Sequence, residues 1–130
     1  MKSFKIKSHA KINLALNVTG KAIKLHEIES LVCFIELHDL IYVKQIDNKN
    51  HKIYFKGTYS KGINDLNTVT TLFRLLDQKN FLNNNKFEIK IIKNIPQKAG
   101  LGGGSMNAAS LINFFVNKKI LKLKKNDLIK

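Results

Sequence analysis

The 130-residue sequence predicts an α+β domain, with a mixed sheet carrying helices on one of its faces. Three observations lead there. Residues 4–18 and 87–91 alternate apolar and polar side chains with the period of a strand. Residues 69–76 and 108–115 repeat apolar side chains with the period of a helix. The strands come first, and a helix, a strand, a glycine-rich loop and a second helix follow.

The first element is the most regular. Phe4, Ile6, Ala10, Ile12, Leu14, Leu16 and Val18 share one parity, while Lys5, Lys7, His9, Lys11, Asn13 and Asn17 share the other. This is a half-buried strand, or a bent pair of strands, ending at Thr19-Gly20. His26 to Glu36 is read as another strand, with a short helix as the alternative. Leu40 to Ile46 and Lys52 to Phe55 flank Asp47-Asn48-Lys49-Asn50 and are expected to form a hairpin. Val69, Leu72, Phe73, Leu75 and Leu76 then fall at helical spacing, with Asn67 or Thr68 as the cap and an end near Lys79-Asn80. Asn83-Asn84-Asn85 is a loop. Phe87, Ile89 and Ile91 mark a strand that Pro96 ends. The last full helix starts near Ser105 and turns Ala108, Leu111, Ile112 and Phe115 inward. Asp127 to Lys130 looks like the start of one more helix.

Length and composition narrow the classes. The chain fits one domain, and 44% hydrophobic residues supply a core, so a disordered chain is excluded. The net charge is +14, from 23 Lys+Arg against 9 Asp+Glu. Arg74 is the only arginine. A lysine surface suits bidentate recognition of guanine or phosphate poorly, so we read most of this charge as solvated lysines in a Lys-, Asn- and Ile-rich chain. Steering of anionic substrates is the functional alternative. Neither nucleic acid nor membrane is expected as a partner. Cys33 is the single cysteine, in an apolar run, and reads as a small buried residue in a reducing compartment. No signal peptide and no membrane-length apolar run stand out, which predicts a cytoplasmic protein.

The chemistry is concentrated in Pro96-Gln97-Lys98-Ala99-Gly100-Leu101-Gly102-Gly103-Gly104-Ser105-Met106, where four of the chain's seven glycines lie within five residues. Clustered glycines let backbone N–H groups turn toward one point, and the helix that follows adds its own unpaired N–H groups. Together they make an anion site suited to phosphate. Ser105 is placed to cap the helix or to reach a phosphate or its Mg²⁺. The bland alternative is a flexible loop with a serine cap. Two better-known loops fail: no Gly-Lys-Ser/Thr follows the glycines, and a dinucleotide fingerprint begun at Gly100 meets Ser105 at its last position.

The run Pro-x-x-Ala-Gly-Leu-Gly-Gly-Gly-Ser-x-Asn-Ala-Ala over residues 96–109 resembles the phosphate loop of the GHMP kinases. Its Gly-Leu-Gly-Gly-Gly-Ser form is most similar to the branch that phosphorylates a cytidine-diphosphate-linked methylerythritol in non-mevalonate isoprenoid synthesis. Ala10-Lys11-Ile12-Asn13-Leu14, His26 and Asn67-Thr68-Val69 resemble further segments of that branch. The resemblance implies the family's N-terminal domain, a ribosomal-protein-like mixed sheet, and an ATP- and Mg²⁺-dependent kinase acting on a small-molecule alcohol. It implies Lys11 beside the accepting hydroxyl, Asn13 on the substrate, His26 on cytosine and Asn67 at the adenine side. Residues Pro96 to Met106 would hold the ATP phosphates. Read without the family, Lys11 and Asn13 are also compatible with the exposed face of an amphipathic strand, and His26 with a surface histidine. Leu25 stands where the branch has a tyrosine, and Met106 where a serine is frequent. The family's general-base aspartate is expected beyond Lys130, so residues 1–130 are expected to be a truncated N-terminal ATP-binding domain, inactive in isolation. Another GHMP kinase, a basic nucleic-acid-binding module and an inactive remnant are the rival readings.

Overall fold

The computed structural model describes residues 3–19, 27–63, 67–97 and 103–121. In chain order these form β1 (Ser3–Thr19), β2 (Glu27–Ile46), β3 (Lys52–Lys56), α1 (Thr68–Gln78), β4 (Lys86–Ile92) and α2 (Gly103–Asn117). The strands make one four-stranded mixed sheet in the order β1-β2-β4-β3. β1–β2 and β2–β4 run antiparallel, and β3–β4 is parallel.

One face of the sheet is mainly apolar, with Ser8 and Asp39 as its buried polar pair. The register sets Phe4 opposite Val43 and Ile6 opposite Ile41. It continues with Ile41 opposite Ile91 and Val43 opposite Ile89, and with Ile53 and Phe55 beside Ile89 and Ile91. α1 and α2 cover this face, inserting Val69, Phe73 and Leu76 from one helix and Leu111 and Phe115 from the other. Burying a large aliphatic or aromatic side chain is worth about 1.5–3 kcal/mol. This shared face therefore fixes the register of all four strands, since a one-residue slip would turn every such side chain outward. The opposite face carries Lys5, Tyr42, Lys90 and Tyr54 in one row. Lys90 Nζ lies 4.8 Å from the centre of the Tyr42 ring.

The helices and β4 agree with the periodicity. Asn67 is the N-cap of α1, its side chain accepting the N–H of Thr70 at 2.8 Å, and Lys79 is the C-cap. The asparagine-rich turn holds Asn80, Asn83 and Asn84 at positive φ, a conformation asparagine tolerates better than most residues.

Four expectations are corrected. The segment read as His26–Glu36, described from Glu27 on, and Leu40–Ile46 belong to one 20-residue strand, β2, which follows β1 through register shifts at His9/Lys11 and Asn13/Ala15. The hairpin between Leu40–Ile46 and Lys52–Phe55 does not form, because β4 lies between them. The 47–50 link has no glycine for a tight turn, and β4, buried at every second position, takes the interior place. Pro96 does not end β4, which stops at Ile92. There the N–H groups of Asn94 and Ile95 leave the ladder for the carboxylate of Asp39, at 2.7 and 2.9 Å. Ser105 does not cap α2; the helix begins at Gly103 and Ser105 is its third residue. The end of the first strand at Gly20 and the helix expected at Asp127–Lys130 lie outside the described residues, and Cys33 is placed in β2 by its backbone alone.

Candidate phosphate site

The described parts of the glycine segment are its two ends. The entry is Lys93–Gln97, and the exit is the first turn of α2, Gly103–Met106. Lys98, Ala99, Gly100, Leu101 and Gly102 lie outside the described residues, as does His26.

Both ends are held tightly. On the entry side, the Gln97 side-chain amide donates to the carbonyls of Tyr59 and Lys61, at 2.6 and 2.9 Å. The N–H of Lys93 donates to Lys56 O at 2.7 Å. Gly57 packs directly on this residue: at φ +100°, a Cβ there would stand 2.9 Å from both N and O of Lys93. On the exit side, a Cβ on Gly103 would meet Ile95 Cγ2 at 3.2 Å and Lys93 Nζ at 3.3 Å, closer than ordinary van der Waals contact. The start of α2 is thus seated on the entry segment, and glycine is the residue that permits it.

The two helices bring their N-termini together. A Cβ on Gly104 would lie 3.5 Å from Thr68 Oγ1, so the first turn of α2 faces the first turn of α1. Neither first turn contains an acidic residue. The positive ends of two helix dipoles therefore meet at Gly104 and Thr68, which favours an anion. Ser105 is exposed in that turn and Met106 is half-buried. Asn67 is the cap of α1 and directly precedes Thr68, the residue that Gly104 approaches.

Lys11 sits on β1 opposite Phe34, just past the register shift at His9, and is half-buried. α2 rests on the same strand, with Ser110 Oγ donating to Ser8 Oγ at 3.1 Å. Asn13 is paired through its backbone with Val32; its side chain is outside the described part.

Three residues were missed in the sequence. Asp39 is fully buried and Lys93 is 4% exposed, and they form an ion pair beneath the glycine segment. Asn107 of α2, also buried, donates its side-chain amide to Asp39 Oδ2 at 3.1 Å. Its Oδ1 is buried without a partner among the described residues, an acceptor left for a donor from the loop or from a ligand. A signal existed. Asp39 shares the parity of Ile41 and Val43, and Lys93 that of Ile89 and Ile91, so both charges fall on the inward face and have opposite sign. Among the described residues no group of three or more His, Cys, Asp or Glu side chains could hold a metal ion.

Known proteins resemble this chain in sequence and in fold. The model of the GHMP kinase N-terminal domain matches residues 67–130. The chain is 65% identical, over 127 residues, to the 4-diphosphocytidyl-2-C-methyl-D-erythritol kinase of Pelagibacter ubique, covering 98% of this chain and 45% of that protein. It is 38% identical over 117 residues to the enzyme of the same name from Ehrlichia ruminantium, covering 90% of this chain and 40% of the relative. The chain thus spans less than half the length of these relatives. In structure it is similar to a solved 4-(cytidine 5'-diphospho)-2C-methyl-D-erythritol kinase, with a TM-score of 0.68 and 24% identity over 93% of this chain and 42% of the other. It is also similar to homoserine kinase from Cytophaga hutchinsonii, with a TM-score of 0.61 and 18% identity over 97% and 38%. These two likenesses show the fold. Identity of 65% along nearly the whole chain, joined to the family-model match over the glycine segment, makes the chain a member of the GHMP kinases.

Proposed function

We propose that this chain forms the ATP-binding part of a kinase that transfers the γ-phosphoryl group of ATP to the 2-hydroxyl of 4-diphosphocytidyl-2-C-methyl-D-erythritol. The observation that carries the reading is the approach of the α1 and α2 N-termini at the exit of a glycine segment, where a side chain at Gly103 would crowd Ile95 and Lys93. The substrate rests on the 65% identity to a relative named for it.

In this reading residues Pro96–Met106 wrap the ATP phosphates with backbone N–H groups, and Asn67 borders the adenine. Ser105 would be the residue to contact a phosphate-bound Mg²⁺, which would supply neutralisation of phosphate charge. Lys11 stands beside the accepting hydroxyl, where its ammonium lowers the hydroxyl's pKa and steadies the developing charge. Asn13 and His26 hold the substrate, His26 by a hydrogen bond to cytosine. The new bond joins the substrate oxygen to the γ-phosphorus, the bond to the β-γ bridging oxygen breaks, and ADP leaves. The hydroxyl proton passes to a carboxylate in the part of such an enzyme that this chain does not span. Catalysis is then mainly positioning and charge neutralisation.

The test is phosphoryl transfer by this chain joined to the C-terminal part of the Pelagibacter ubique relative. ADP release that depends on the cytidine-linked alcohol, and is lost in Lys11→Ala, supports the reading. Turnover of homoserine or mevalonate instead would assign the chain to another branch of the family.

A further inference from the structure

The geometry points to Asp39 as the positioning residue of the glycine loop, one carboxylate that holds the loop's entry and its exit together. Oδ1 accepts the N–H groups of Asn94 and Ile95, the last residues before Pro96. Oδ2 accepts from Asn107, the residue after Met106, and pairs with Lys93. Residues 96–106 therefore start and finish on a single side chain.

Asp39 is suited to this. It lies in β2, opposite Ser8 of β1 and one residue before Leu40, where the pairing with β4 begins, so the sheet fixes its backbone at the point where β4 gives way to the loop entry. Its four donors use the capacity of an ionised carboxylate. A loop with four glycines has much backbone entropy to lose before its N–H groups can face one point, and fixing the separation of its ends removes part of that freedom in advance. Asn94 adds a second tie to the same strand, its side-chain amide donating to His38 O at 3.0 Å.

A bare carboxylate beneath an anion site would repel the anion. Lys93 resolves the conflict. Its ammonium neutralises Asp39 and stands on the loop side, 3.3 Å from where a Cβ of Gly103 would be. The pair thus offers the loop a rigid acceptor without a net negative charge. For catalysis this inference rests on the loop being the phosphate site; the clamp itself is readable without nucleotide.

The experiment is residue-resolved amide hydrogen exchange on the full chain, with titration of a non-hydrolysable ATP analogue and Mg²⁺. Two variants cut the clamp. Asp39→Leu with Lys93→Met removes the acceptor without stranding an ammonium, and Asn107→Leu cuts the exit alone and keeps the fold testable if the first does not fold. Leu76→Ala, a core change outside the clamp, controls for lost stability.

The expected result is exchange at residues 94–107 faster by roughly 10- to 100-fold in the double variant, the leverage of one charge-assisted hydrogen bond on a local opening. In Asn107→Leu the acceleration is confined to the exit, and Asn94 and Ile95 stay protected. Both variants lose analogue affinity by about tenfold or more, whereas Leu76→Ala keeps it within about twofold. Unchanged exchange at 94–107, or unchanged affinity, in folded clamp variants overturns the inference. A wild type that ignores the analogue, or a Gly103→Val variant that binds it equally well, overturns the phosphate reading instead, and the exchange data still decide the clamp.

Discussion

Replacing Gly57 by alanine is expected to damage the domain more than replacing Gly62, although both have positive φ, +100° and +82°. An alanine at positive φ costs about 1–2 kcal/mol at either site. Gly62 has nothing within 4 Å of an added Cβ, so its cost ends there. At Gly57 the Cβ would sit 2.9 Å from two backbone atoms of Lys93. Those atoms cannot swing aside as a side chain would, because Lys93 N donates to Lys56 O and Lys93 O accepts from Tyr59 N. Overpacking of this kind adds about 1–3 kcal/mol. Unfolding entropy for a 130-residue chain converts 1 kcal/mol into about 4 °C of melting temperature. Gly62→Ala should then melt roughly 4–8 °C below wild type and Gly57→Ala roughly 8–20 °C below it. Side-by-side thermal melts followed by circular dichroism measure both. Equal midpoints would refute the reasoning, since the close approach to Lys93 is the one term that separates the sites.

Three further outcomes follow from the same structure. His51 accepts the Phe87 N–H on Nδ1 at 3.0 Å, so Nε2 carries the proton and donates to Asp77. His51→Phe keeps the ring against Phe73 and Phe87 but strands that N–H, and should cost about 1–3 kcal/mol in a denaturant titration. Burial holds the His51 pKa below its ordinary 6.5, against the pull of Asp77. Burial works to raise Asp77, yet hydrogen bonds from Lys86 and His51 prevail and leave it below its ordinary 3.8. Unfolding takes up protons at both groups, so stability is full above pH 6.5 and falls as the pH drops below it, first through His51 and then, more weakly because Asp77 is partly exposed, through the carboxylate. Melts across that range should show the slope, and His51→Phe should flatten its upper part. Asn67→Ala removes the cap of α1 and should cost about 0.5–2 kcal/mol, measured as a lower melting midpoint.

How much of this was legible in the sequence depended on whether a feature was local. α1, α2 and β4 were legible because their apolar periods and the Asn67 cap are properties of neighbouring residues. Strand order was not. The insertion of β4 between β2 and β3 is decided by which strand is buried on the sheet interior, a comparison across the fold rather than along it. The 20-residue β2 was split because Glu36, His38 and Asp39 interrupt its apolar pattern. One of those interruptions, Asp39, is the residue on which the candidate site is built. The glycine loop was visible because four glycines in five residues are locally expensive, while its foundation was hidden because Asp39, Lys93 and Asn107 are distant in sequence and each alone looks like a surface residue. Their inward parity was the clue available.

The central claim is that the segment Pro96–Met106 holds the phosphates of ATP, and a calorimetric titration of the folded chain with an ATP analogue and Mg²⁺, wild type against Gly103→Val, tests it most directly. The valine's Cβ is already 3.2 Å from Ile95 and 3.3 Å from the Lys93 ammonium before its methyl groups are placed, so it crowds the contact between α2 and the entry segment. The predicted result is one site on the wild type and an affinity reduced by about tenfold or more in the variant, at an unchanged circular dichroism spectrum. Equal binding by a folded Gly103→Val variant would contradict the claim and place the nucleotide elsewhere on the chain.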